Sequence, residues 1–232
     1  MHIQDGFLAG KYAIGWYGMA SVFVAKGISD IVRQSNKILM YKPLLGLIGA
    51  AVFFISILPI PVPITGTSSH PAGTPMAAIL VGPFAGTILA VVALLLQALF
   101  FAHGGLTTLG ANVFSMGVVG SLVGYGFFKL SRKMGFSLGF AAFIAGCLGD
   151  IAVYVTTSMQ LASGMPQIGL SFTKAFITFL ALFLPTQLPL ALLEGLVTAG
   201  MVGYIARVRP DILQNLGLIE RPEKGEEAGN EA

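Results

Sequence analysis

The chain is poor in charge, cysteine and histidine. Only 10% of its 232 residues are Asp, Glu, Lys or Arg, against roughly a quarter in soluble domains. With 55% hydrophobic residues and a mean hydropathy of +0.84, an ordinary soluble domain is excluded. A polytopic membrane protein is expected instead, with long apolar runs between short polar islands. The single cysteine, Cys147, sits in an apolar run. It excludes a disulfide framework and a cysteine metal cluster, and reads as a small buried residue. No GxxxxGK[ST] phosphate loop is present, so ATP hydrolysis is not expected of this chain. No GxSxG, HExxH or paired-carboxylate arrangement stands out, so neither is an enzyme. The 9 Met and 17 Phe read as core or lipid-facing residues. No clustered external Met motif suggests a Cu(I) carrier.

The little charge there is gives an orientation. Apolar blocks run roughly over 12–32, 43–63, 76–102, 104–130, 137–161 and 171–206. Basic islands follow at Arg33, Lys37 and Lys42, at Lys129, Arg132 and Lys133, and at Arg207 and Arg209. Basic loops favour the cytoplasm, which accounts for the net charge of +3 without a nucleic-acid partner. Placing all three islands inside requires an even number of crossings from Lys42 to Lys129, so one of the three intervening blocks must be a hairpin. The 76–102 block carries Gly82-Pro83 and Gly86, a helix break. We expect a short helix over about 75–81, a tight turn, and a return helix over about 84–101. The alternative is one long tilted helix with a proline kink. The hairpin gives an all-α bundle of seven membrane spans, N-terminus outside and C-terminus inside. The short arm must lean on its neighbours or on a water-filled cavity. The division expected is a membrane unit over 1–210 and a disordered, acidic, cytoplasmic tail over 211–232, richest in Glu and Gly from Glu220 onward.

The chain begins Met1-His2, with no basic n-region or small-residue cleavage site to mark a signal peptide. Met1 is therefore expected at the mature terminus. It would bring three nitrogens together: the α-amine, the His2 amide and the His2 imidazole. Chelation through them closes one five-membered and one six-membered ring, all in one plane. Ni²⁺ and Cu²⁺ are the ions that displace an amide proton and prefer four coplanar nitrogens. One further nitrogen would close the square, and the chain has only two other histidines, His70 and His103. The loop TGTSSHPAGT, with His70 in its middle, falls on the same external face as Met1-His2. So does His103.

Four stretches then carry a resemblance: MHIQDGFL, PIPVPITGTSSHPAGTPMAAILVGPFAG, LLLQALFFAHGGLTTLGANVFSMGVVG and PTQLPLALLEGLVTAG. In order and spacing, over about residues 1–208, they resemble the CbiM/NikM family. Its members are substrate-binding components of energy-coupling factor transporters for cobalt or nickel. The resemblance implies a six-helix S-component fold with one extra N-terminal helix, and a metal held by Met1, His2 and His70. It also implies partners: a transmembrane coupling protein, two ATPase subunits and a small accessory membrane protein. The cargo expected from the donor set is Ni²⁺, with Co²⁺ as the alternative. A proton-coupled secondary transporter using Asp150 or Glu194, or a membrane metal sensor, are the rival classes. The internal repeats that secondary transporters tend to show are not found.

Around the ligands, Thr67, Ser68 and Ser69 are candidates to fix the His70 tautomer. Asp5 is a candidate to orient the chain start or to cap the first helix. His103 is an accessory candidate, with a solvated interfacial histidine as the plainer reading. Asp150 and Glu194 are costly ionisable groups in apolar runs, expected in a polar network with Asn112, Gln97 or Gln187. Lys26 and Asp30 read as a helical pair. Amine and imidazole must both shed protons to bind metal, so uptake is expected to weaken in mild acid. Gly46 with Ala50, Gly120 with Gly124, and Gly195 with Ala199 and Gly203 have the spacing of close helix packing.

Overall fold

The computed structural model describes residues 2–57, 60–62, 67–165 and 169–219, with backbone alone for 60–62, 67 and 68. Met1, Thr65 and Gly66 lie outside the described residues, as does the Glu-rich segment from Glu220 onward. In chain order the elements are β1 (His2–Ile3), α1 (Gly10–Ser35), α2 (Tyr41–Ser56), β2 (Ile60–Val62), β3 (Thr67–Ser69), α3 (Thr74–Val81), α4 (Pro83–Phe100), α5 (Leu109–Asn112), α6 (Gly120–Lys133), α7 (Leu138–Gly164), α8 (Phe172–Val208) and α9 (Pro210–Asn215). A π-helical segment, Val113–Val119, joins α5 to α6. Among the described residues, four helices are long and apolar enough to cross a membrane: Pro83–Phe100, Leu109–Lys133, Leu138–Gly164 and Phe172–Val208.

The break at Gly82-Pro83 is where the sequence puts it. Gly82 adopts φ 92° and ψ 153°, a conformation that glycine alone reaches cheaply, and Pro83 opens α4. The two arms fold back on one another. A Cβ on Gly86 would stand 3.3 Å from the Ala78 nitrogen. All eight residues of α3 are buried, so the short arm is sheathed by protein, as its length demands.

Four expectations need correction. The bundle is mostly helical, yet three short strands form a sheet in the order β1-β3-β2. The 43–63 block is not one helix: α2 ends at Ser56 and Ile60–Val62 is a strand, with Pro61 unable to continue a helix. The tail does not begin at 211: Pro210–Asn215 is helical, with Leu213 fully buried. Asp30 pairs with Arg33 (3.1 Å) rather than Lys26, and the Lys26 ammonium sits over the Phe84 ring instead.

Small residues set the closest helix contacts. A Cβ on Gly195 would lie 2.4 Å from Cys147 Sγ, and one on Gly146 would lie 2.8 Å from the Gly195 Cα. Gly120 and Gly124 press on Thr74 and Pro75 of α3. A Cβ on Gly46 or Gly203 would meet nothing within 4 Å, so among the described residues neither glycine is required by a close helix contact. The π-helical segment leaves carbonyls off the usual ladder. Met116 O accepts from Thr74 Oγ1 (2.7 Å) and Gly117 O from Thr87 Oγ1 (3.0 Å).

Candidate metal centre

The sheet brings two distant histidines together. β1 pairs antiparallel with β3, placing His2 opposite Ser68 and Ile3 opposite Thr67. The chain then leaves β3 directly into His70. Ile3 is fully buried and acts as the plug that seats this short strand. Asn112, itself 1% exposed, holds the Ile3 backbone at both ends. Its Oδ1 accepts from Ile3 N (2.8 Å), and its Nδ2 donates to Ile3 O (3.1 Å). Thr108 Oγ1 donates to the same carbonyl (2.6 Å). A side-chain amide thus replaces a neighbouring strand, leaving no buried backbone group of Ile3 unpaired.

His2 is 1% and His70 0% exposed. His70 Nδ1 lies 2.8 Å from Pro71 O. A carbonyl only accepts, so Nδ1 carries the proton and Nε2 presents a lone pair. That Nε2 faces His2 Nδ1. Two ring nitrogens therefore share one small space, which a proton or a cation can occupy. The partner fixing the His70 tautomer is the Pro71 carbonyl and not Ser69, whose hydroxyl accepts from Gln187 Nε2 (2.5 Å). The reason is reach: Nδ1 is the ring nitrogen nearest the backbone. The side chains of Thr67 and Ser68 lie outside the described residues.

His103 is not a solvated interfacial histidine. It is 8% exposed, with its ring centroid 4.5 Å from that of His2 and 5.5 Å from that of His70. The three histidines offer ligand atoms all within 4.8 Å of one another. Burial lowers the pKa of each imidazole below the ordinary value, that of His103 to about 4. Burial thus favours the neutral form of each ring, the form that can ligate a metal. Gly104 clears the space beside His2, since a Cβ there would lie 3.0 Å from His2 Cδ2.

Asp5 does not cap α1, whose N-cap is Ala9 without a side-chain bond. It is exposed and accepts from Thr107 N (2.9 Å), tying the chain start to the loop after α4. Asp150 and Glu194 do not form the network expected with Asn112, Gln97 or Gln187. Glu194 accepts instead from Gly73 N (2.9 Å to one oxygen, 3.2 Å to the other), which fixes the segment between His70 and α3. Asp150 Oδ2 is buried without a hydrogen bond. Gln97 donates to Ser56 Oγ (2.8 Å). Its own oxygen and His2 Nε2 are both buried without a hydrogen bond of good geometry. Ile3, Gly104, Pro71 and Gly73 carried no site signal in the sequence, because each acts through its backbone or its packing.

Residues 2–212 match the family model described as the cobalt uptake substrate-specific transmembrane region, CbiM. The chain belongs to the CbiM family. It is 50% identical over 220 residues to a cobalt transport protein CbiM of Geobacter sulfurreducens, covering 95% of this chain and 63% of that one. It is 48% identical to a cobalt transport protein CbiM of Sorangium cellulosum, covering 94% and 97%. A crystal structure described as a transition metal transporter superposes with a TM-score of 0.73 at 25% identity, covering 94% and 98%. A truncated transition metal transporter gives 0.77 at 24%, covering 89% and 99%, and shares the fold. CbiM relatives are transport proteins by name, and this chain is a transporter component, not an enzyme.

Proposed function

We propose that this chain captures a divalent metal ion outside the cytoplasmic membrane and carries it inward as the substrate-specific part of an ATP-driven energy-coupling factor transporter. The facing of His70 Nε2 and His2 Nδ1, both rings buried, carries the reading. The α-amine of Met1, bonded directly to His2, would add the nitrogens of a chelate, with the His2 amide between them. Asn112, Thr108 and Pro71 serve to orient these ligands. The cargo assigned first is Co²⁺, for which the family model and both curated relatives are named. Ni²⁺ is the second reading, because four coplanar nitrogens with a deprotonated amide suit it best. The proposed arrangement is seven spans, an external chain start and a cytoplasmic end. A membrane coupling protein, two ATPases and an accessory membrane protein would supply the energy and the inward turn.

The test is a metal titration of the purified protein with its start at Met1, beside a form extended by one residue and beside His70→Ala. The extension removes the free amine geometry and should abolish high-affinity binding of both metals. His70→Ala should cost at least about 100-fold in affinity, at the upper end of losses seen for ligand-shell changes. Undiminished affinity in the extended protein would overturn the ligand set. Uptake driven by an ion gradient through this chain alone would favour the secondary transporter.

A further inference from the structure

A flat four-nitrogen set needs two imidazoles, yet three converge. We propose that His103 supplies a fifth nitrogen to the captured ion and so sets the preference for Co²⁺ over Ni²⁺. This rests on the reading of the site given above.

Distances and orientation both point this way. The ligand atoms of His2, His70 and His103 all lie within 4.8 Å of one another. Two nitrogens on one ion, each about 2.0–2.1 Å from it, stand at most about 4.2 Å apart. Closing the trio around a cation therefore asks for a shift of a side chain, not of a helix. The His2 and His70 rings lie 39° apart, whereas the His103 ring is inclined 66° to one and 64° to the other. The third ring thus approaches from a different direction than the pair.

The backbone is built to bring it there. Ala102, immediately before His103, has φ 48°. A non-glycine residue holds that left-handed conformation only where its surroundings enforce it. The His103 amide is tied back to Gln97 O (3.2 Å), turning the chain at the end of α4 over the site. Gly104, which follows, has no side chain to displace His2.

The two metals respond oppositely to a fifth donor. Low-spin Ni²⁺ in a flat nitrogen field has a filled orbital along the axis, so an axial imidazole gains little and competes with planarity. Co²⁺ has one electron fewer and accepts the axial donor. Geometry, rather than raw affinity, is how such sites discriminate between neighbouring metals.

The experiment titrates the protein with its start at Met1, His103→Ala and His70→Ala, each with Co²⁺ alone and with Ni²⁺ alone. X-ray absorption of the wild-type Co²⁺ complex counts its imidazoles in parallel. The ratio of Co²⁺ to Ni²⁺ affinity should fall about 10–100-fold in His103→Ala, and the wild-type cobalt spectrum should require three imidazoles. Retained nickel binding in that variant shows an intact fold. A ratio unchanged within about twofold, or a cobalt centre with two imidazoles, overturns the role of His103. His70→Ala binding both metals like wild type would instead overturn the site reading, whatever His103 does.

Discussion

The end of the molecule that carries the histidines and the interface between α7 and α8 are buried alike but held by different physics. Around His2 and His70 the contacts are directional. Asn112 grips Ile3, Pro71 fixes the His70 ring, Glu194 holds Gly73, and Gln187 holds Ser69. Between α7 and α8 the contacts are steric: Gly146 and Gly195 let two backbones nearly touch. Hydrogen bonds specify where a nitrogen points. Close packing specifies only that two helices stay together. Glu194 belongs to both regions, its helix packed on α7 and its carboxylate on the loop that bears His70. The loop bearing His70 is thereby fastened to a closely packed helix pair.

That difference is broken most sharply at Asn112. Asn112→Ala removes both bonds to Ile3 and leaves its buried N–H to find another partner, at a cost of about 1–3 kcal/mol, while Ile3 O keeps the Thr108 hydroxyl. The strand bearing His2 then loses its register before the helices loosen. Metal affinity should fall about 10–100-fold, measured by chelator competition, while the bundle melts close to wild type. An unaltered affinity would show that the sheet with β3 alone seats the chain start.

Those bonds also mark how far the sequence could be read. The meeting of His2 with His70 was legible because donor chemistry is a local property of the sequence. The α3–α4 break was legible from Gly82-Pro83 for the same reason. Asn112 was legible as a residue worth watching but not as the clamp on Ile3, from which it stands 109 positions away. Glu194 and Gly73 are 121 positions apart, and a backbone N–H leaves no mark in a sequence. His103 was misjudged as solvated because a polar residue at the end of an apolar block normally faces water. Its burial follows from the turn at Ala102, which composition does not encode. The shortness of α2 was signalled by Pro61, but hydropathy continued through it.

The steric region is probed at Gly195. In Gly195→Ala the new methyl meets Cys147 Sγ at 2.4 Å and Phe143 O at 2.8 Å, so α7 and α8 must separate slightly. Overpacking of this kind costs about 1–3 kcal/mol. Thermal melting in detergent should show the loss, while the folded fraction binds metal with nearly wild-type affinity. A drop in affinity as large as that of Asn112→Ala would mean that helix spacing, not hydrogen bonding, sets the ligand positions.

The last test separates the two regions by pH. Burial lowers the pKa of His2, His70 and His103, the last to about 4, whereas an unfolded imidazole titrates near about 6.5. Above that value neither state binds a proton, and the histidines add no pH dependence. Below it the unfolded chain takes up protons that the folded site refuses, so stability falls as pH falls. For His103 the loss builds from about 6.5 down to about 4. Metal-free protein should therefore melt a few degrees lower at the acid end of this window than at neutrality. His103→Gln should show a shallower slope over the same range, because one refused proton is gone. Equal slopes in both proteins would mean that the His103 ring takes a proton while folded, and that the pocket around the three imidazoles opens to water before the helices part.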